Sequence, residues 1–152
     1  YEIGVRLVGS EMCIRDRHKT TANILKRKAF TVSMAEAGQV VACDYVGIVS
    51  GNKVADKFAR AGFHATRSEF VDAPLIDELS VAMECRLKDY NPETSILRGE
   101  IVNVSVDERV LGENGKVDAS KVVPIIFDPF NNDYLKVGEK VGNAFSDGKI
   151  LK

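Results

Sequence analysis

The sequence predicts a mainly β fold with inserted helices, an α+β arrangement, and three observations carry that expectation. Residues 80–90 and 95–106 alternate apolar and polar side chains with a period of two, as strands with one buried face do. Helical spacing is confined to short segments before residue 62. No strand–helix alternation of regular length is sustained, which argues for a barrel or mixed architecture over a doubly wound parallel sheet.

Residues 1–17 admit two readings. Ile3, Val5 and Leu7 alternate against Glu2, Gly4 and Arg6 as an amphipathic strand would. The run Val8-Gly9-Ser10-Glu11-Met12-Cys13-Ile14-Arg15-Asp16-Arg17 instead looks like the conceptual translation of a sequencing-adapter read-through. On that reading residues 1–17 are a non-native segment set apart from fold reasoning, and 18–152 form a partial domain.

Residues 18–28 are predicted helical. Ile24 and Leu25 give a small apolar face, Thr20 or Thr21 suits the N-cap, and Lys26, Arg27 and Lys28 favour the carboxyl end of the macrodipole. Residues 29–34 follow as a strand, with Phe30 and Val32 on one face and Thr31 and Ser33 on the other. A second helix is expected over residues 36–45, ended by Gly47. From Cys43 to Phe58 the chain then has the grammar of a helix end, a glycine-punctuated turn and a new helix start. Gly47 and Gly51 are free to take positive φ there, and Ser50, Asn52 and Asp56 can satisfy backbone donors. A short third helix over 55–61 closes at Gly62. Residues 63–74 show no clear period and read as an ordered loop able to cover a site.

In the second half, Val81, Met83, Cys85 and Leu87 form the expected core face of a strand, against Ala82, Glu84, Arg86 and Lys88. Asn91-Pro92 turns the chain. The return strand sets Val102, Val104 and Val106 opposite Asn103 and Ser105, with Gly99 marking a bulge or a close approach. Asn114-Gly115 signals a tight turn. Residues 122–127 and 134–137 are further strand candidates, separated by Pro129 and Asn131-Asn132.

At 152 residues the chain amounts to one domain. Twenty-one basic and 22 acidic side chains leave a formal charge of -1, so no whole-molecule field favours nucleic acid or an anionic membrane, and any anion site must be local. Three cysteines without a CxxC spacing argue against a disulfide framework or a zinc site and fit a reducing cytoplasm. His18 and His64 lack a partner at ligand spacing, so no metal is expected. The apolar run at residues 122–127 is interrupted by Pro124 and far too short to span a bilayer.

The cluster His18-Lys19-Thr20-Thr21 is the best anion site: backbone N–H groups, hydroxyls and an ammonium converge at a helix start. A capped, solvated helix terminus is the competing reading. Cys43 is read either as a redox thiol or as a small buried hydrophobe, and Cys85 as core. Asp56 and Lys57 are a solvated pair or neighbours of a ligand; Tyr45 and Tyr134 pack on a ring or in the core. The spacing of Gly47 and Gly51 is not that of a nucleotide-triphosphatase phosphate loop.

Asp44-Tyr45, Gly47, Ser50-Gly51 and Asp56-Lys57-Phe58 resemble the "DY-x-G…SG…DKF" run of the flavin reductase-like, FMN-binding split-barrel family, of flavoredoxin or flavin reductase type. Met83-Glu84-Cys85 with Gly99-Glu100-Ile101-Val102 is similar to its "EC…GEVV" strand pair. Tyr134, Gly138-Glu139, Gly142-Asn143-Ala144-Phe145-Ser146 and Gly148-Lys149 are similar to its closing motif. The resemblance covers residues 19–152 and implies a split β-barrel, incomplete at the N-terminus because the family's opening strands are unmatched. Such a partial barrel is expected to expose edges and the Val81-Met83-Cys85-Leu87 and Val102-Val104-Val106 faces, and so to aggregate and bind FMN poorly.

The resemblance also implies FMN as cofactor and NAD(P)H as a co-substrate. The family's phosphate segment falls on His18, Lys19 and Thr20, with His-Lys-Thr here in place of the usual Arg-His-Thr. Ser50, Gly51, Lys57 and Tyr134 are the further implied cofactor contacts, and His64 is the candidate outside the matched motifs for meeting a nicotinamide or substrate. The implied function is an FMN-dependent oxidoreductase, cytoplasmic and homodimeric, passing hydride or electrons through bound FMN, with no nucleic-acid or membrane partner. The alternatives are an FMN-binding electron-transfer module without nicotinamide chemistry, or a non-functional fragment.

Overall fold

The computed structural model describes residues 19–151, and the expectations placed on residues 1–17 and on His18 lie outside them. Helix α1 (Lys19–Arg27) carries Thr20, Asn23, Ile24 and Arg27 at i, i+3, i+4 and i+7, so the four share one face. Thr20 and Thr21 both lie within the helix rather than at its N-cap, because Lys19 is already helical and any cap precedes it. Lys28 then takes φ 57, donates its N–H to the Ile24 carbonyl at 2.7 Å and gives its own carbonyl to the Leu87 N–H at 2.9 Å. One left-handed residue thus ends the helix and starts the strand.

Strand β1 (Ala29–Ser33) pairs antiparallel with β4 (Val81–Asn91), which pairs antiparallel with β5 (Ile96–Val106), giving a sheet of order β1-β4-β5. The β4–β5 register shifts between Glu84 and Cys85 and again between Leu87 and Asp89. Next to the second shift Gly99 lies opposite Leu87 and under the Phe30 ring: a Cβ there would stand 2.5 Å from Phe30 Cζ. The close approach expected at Gly99 is therefore realised.

Between β1 and β4 the chain is helical and then hairpin-like. A 3-10 turn (Ala37–Gln39) leads into α2 (Val40–Ile48), which runs through Gly47. Among the described residues the positive-φ glycines are Gly62 and Gly115, so neither Gly47 nor Gly51 uses the freedom anticipated for it. The reason is that Lys57 donates from Nζ to the carbonyls of Val46 and Val49, each at 2.8 Å. An ammonium, not a left-handed glycine, satisfies the end of α2. Helix α3 (Lys57–Arg60) is followed by Gly62 at φ 75. The segment anticipated as a loop contains a hairpin of β2 (Ala65–Arg67) and β3 (Pro74–Ile76), docked beside β1 where Thr31 Oγ1 donates to the Pro74 carbonyl at 2.6 Å.

After β5, Gly115 makes its turn at φ 70. The strand expected from residue 122 starts late, since α4 (Ala119–Val122) is capped by Asp118, which accepts from the Ser120 N–H, and Val123 turns at φ 50. Strands β6 (Ile125–Asp128) and β7 (Asp133–Lys136) form a second hairpin. The described residues thus show the mainly β arrangement with inserted helices that the patterning predicts.

The core departs from the predicted faces. Ala29, Phe63, Ala73, Leu79, Ala82, Cys85, Val110 and Val122 are buried, and so is Glu84, which is fully inaccessible. The alternation of β4 sets Glu84 on the face opposite Val81, Met83, Cys85 and Leu87, where solvent is expected. Instead its carboxylate accepts from Asn103 Nδ2 at 2.7 Å, from Ser105 Oγ at 2.5 Å and from Ser68 Oγ. Three donors replace the water it loses. Val104, from the expected apolar face of β5, is half exposed in turn.

Candidate functional site

A cavity of about 980 Å³ lies along the α1 face formed by Thr20, Asn23, Ile24 and Arg27. Residues 29–32 of β1 line it as well, with residues 65–67 and 72–74 of the β2–β3 hairpin and with Phe58. The volume sits at the upper end of the roughly 300–1,000 Å³ of ligand pockets, and the lining combines nine apolar with seven polar or charged residues. At the hairpin side, Asp72 lies 2.7 Å from Arg27 and 3.7 Å from Arg67. The Arg27 hydrogen bond holds the Asp72 carboxyl below the usual carboxylate range.

Of the implied cofactor contacts, the structure brings Lys19, Gly51 and Lys57 together. Thr20 lines the cavity. A Cβ on Gly51 would meet Lys57 Cε at 3.5 Å and Lys19 Cδ at 3.6 Å, so Gly51 sits between the two lysine stems. The two ammonium groups have different duties, since that of Lys57 is committed to the end of α2. Ser50 adjoins Gly51, with its hydroxyl accepting from the Asn52 N–H at 3.3 Å.

Tyr134 lies elsewhere. Its hydroxyl donates to Asp44 Oδ1 at 2.8 Å, and its ring packs 5.8 Å from that of Phe127. The bond to Asp44, with some burial, pushes the phenol pKa up. His64 is not in the cavity lining either: its Nδ1 lies 2.6 Å from Glu78 Oε1, and that pairing raises its pKa. Burial first, with the Glu36 carboxylate adding, pushes the Cys43 thiol up against a hydrogen bond that lowers it, which suits an inert thiol. Tyr45 borders a smaller cavity of about 490 Å³ with Val41, Ala42 and Arg60.

Sequence reasoning missed Asn23, Arg27, Arg67 and Asp72 as lining residues. The i+3 and i+7 positions from Thr20 carried the signal for Asn23 and Arg27. No local pattern announces Asp72, whose partner Arg27 is 45 residues away. Among the described residues no helix is long and apolar enough to cross a membrane, and no group of three or more His, Cys, Asp or Glu is placed to hold a metal.

The family model described as flavin reductase like domain matches residues 11–127. An uncharacterized protein of Aquifex aeolicus (strain VF5) is 32% identical over 108 residues, covering 70% of this chain and 55% of its own length, so the chain spans about half of that curated relative. Flavoredoxin of Desulfovibrio vulgaris (Miyazaki F) is similar with a TM-score of 0.82 and 40% identity, over 88% of this chain and 72% of that one. Flavoredoxin from Methanosarcina acetivorans gives a TM-score of 0.79 and 30% identity, over 90% of this chain and 73% of that one.

Proposed function

Because the chain belongs to the flavin reductase like domain family and has the split-barrel fold of its structural neighbours, we propose that it is an FMN-dependent oxidoreductase. FMN would occupy the cleft along α1, with NADH or NADPH as hydride donor. The observation that carries this reading is a cavity of about 980 Å³ lined by Thr20 of α1, with the neighbouring Lys19 stem lying against Gly51.

The residues present fit the group. Gly51 leaves room for the Lys19 stem to lie against the chain, and the Thr20 hydroxyl is one residue away. An ammonium beside a hydroxyl is a phosphate site in chemical terms. When bound, FMN supplies the ring that accepts hydride or electrons. The protein binds, orients and dries: Lys19 and Thr20 hold the anionic end, Lys57 keeps the end of α2 in place so that Gly51 stays beside Lys19, and Ile24, Phe30, Val32 and Phe58 exclude water from the ring.

The flavoredoxin relatives favour a second reading, an FMN-binding electron-transfer module without nicotinamide chemistry. Mixing the purified protein with FMN and NADH or NADPH separates the two. Oxidation of the nicotinamide supports the enzyme, a bound flavin without turnover supports the carrier, and no bound flavin sinks both.

A homodimer is part of the same proposal. Val141, Phe145, Ile150 and Leu151 of the closing segment are each at least 88% exposed, apolar side chains that a second copy would cover. Light scattering at known concentration tests it, and a monomer mass would refute it. The free thiols of Cys43 and Cys85 fit a reducing compartment, the cytoplasm, as the place of action.

A further inference from the structure

We infer that Glu84 is a positioning residue for the cleft: from the middle strand of the sheet it holds, through Ser68, the loop of residues 68–73 that walls the cavity. For its functional consequence the inference rests on the cleft being the flavin site proposed above.

The geometry is a chain of committed hydrogen bonds. A serine hydroxyl has one proton to give and two lone pairs to offer. Ser68 gives its proton to Glu84 and accepts from the N–H groups of Phe70 and Val71, each at 3.0 Å. All three capacities are used. Because the hydroxyl proton points at the carboxylate, the lone pairs are aimed at the loop. The loop closes on itself through the Ser68 N–H to the Ala73 carbonyl at 3.1 Å, and Asp72 within it pairs with Arg27 on α1.

On its other side Glu84 is gripped by Asn103 and Ser105 of β5. The loop is therefore referenced to the most extensive strand pair of the fold. Burial acts to raise the Glu84 pKa, but the hydrogen bonds from Ser105, Ser68 and Asn103 outweigh it and keep the group below the usual carboxylate range. Glu84 is thus an anionic acceptor, and a charged acceptor fixes a hydroxyl more firmly than a neutral one. A buried carboxylate is a costly way to gain stability alone. Its gain here is direction.

Ser68→Ala tests this without orphaning the carboxylate, since Asn103 and Ser105 remain as donors. Hydrogen–deuterium exchange of the Phe70 and Val71 amides is expected to accelerate roughly tenfold or more, while the amides of β4 and β5 keep their protection. FMN affinity, read by quenching of flavin fluorescence, is expected to fall roughly three- to tenfold. Ser68→Thr, which keeps the hydroxyl, is expected to restore both, and Glu84→Gln to loosen the same two amides.

Wild-type exchange at Phe70 and Val71 in both Ser68→Ala and Glu84→Gln would overturn the inference. So would an acceleration spread evenly over β4 and β5, which marks general destabilisation, or a loosened loop with unchanged FMN affinity. If the wild-type protein takes up no FMN, it is the functional reading that falls, and the exchange comparison still decides whether Glu84 holds the loop.

Discussion

Replacing Gly99 by alanine probes how the floor of the cleft is seated on the sheet. The new Cβ would stand 2.5 Å from Phe30 Cζ, 2.9 Å from Phe30 Cε1 and 3.4 Å from Cys85 Cβ. Carbon atoms settle at about 3.5–4.0 Å, so the ring must move by roughly 1 Å. The ring can shift into the cleft that it lines, and in doing so it gives up its seat against Gly99 and beside Cys85. Gly99 is not among the left-handed glycines, so alanine brings no backbone strain and, in open space, would stabilise by about 0.4–1 kcal/mol through the unfolded state. Overpacking of this kind costs about 1–3 kcal/mol and wins. The net loss is about 1–2 kcal/mol, a fall in Tm of roughly 2–8 °C for a chain of this size. Scanning calorimetry measures it, with urea titration for the free energy. Phe30→Leu removes the ring atoms nearest the new methyl, so the double variant is expected to lose less than the sum of the singles. An unchanged or higher Tm for Gly99→Ala, or the same cost with and without the Phe30 ring, would refute the reasoning.

Four further outcomes are expected. Lys57→Ala leaves the Val46 and Val49 carbonyls without their ammonium and lowers stability by roughly 1.5–3 kcal/mol in urea titrations. Lys19→Ala weakens FMN binding by roughly 1–3 kcal/mol in fluorescence titrations while riboflavin, which lacks the phosphate, is nearly indifferent; equal losses for both ligands would instead mean a damaged fold. The folded pKa of Glu84 is depressed, so its contribution is full above the unfolded value of about 4.3 and is lost as pH falls through the folded one. The stability gap between wild type and Glu84→Gln is therefore expected to be flat near neutrality and to close on acidification, followed by urea midpoints across pH. His64 has a raised folded pKa, so its pairing with Glu78 is fully present below about pH 6.5 and lost as pH rises through the folded value; in Glu78→Gln its NMR titration midpoint drops back toward about 6.5.

Strand existence was legible wherever the period of two ran long enough. β4 and β5 begin and end within about a residue of the spans their alternation predicts. Which face lies inside was not legible, because the partners that bury Glu84 stand 16, 19 and 21 residues away and no local window contains them. The end of α2 failed for the same kind of reason: Gly47 is a local stop signal, whereas the group that caps the helix is the Lys57 ammonium, 11 residues from Val46. Asp118 before α4 was a readable N-cap, obscured by the β-branched pair Val122-Val123 that suggests a strand. Of the cleft lining, Thr20 could be reached through motif and charge. The hairpin wall could not, since Asp72 takes its place from Arg27 and from the Ser68 loop, both set by tertiary contact.

The single left-handed residue between α1 and β1 has a kinetic consequence. Lys28 is bonded at both its N–H and its carbonyl, so helix and strand share one stiff corner and the two sides of the cleft they form move as one piece. The β2–β3 hairpin is the remaining wall, tied across by the Thr31–Pro74 hydrogen bond, the Arg27–Asp72 pair and the Ser68 loop. On the reading of the cleft as the flavin site, opening this wall breaks ties such as these and leaves the pairing of the sheet intact. Residence time and unfolding rate are therefore separate clocks, and a change at Thr31 is expected to speed the first while leaving the second nearly untouched.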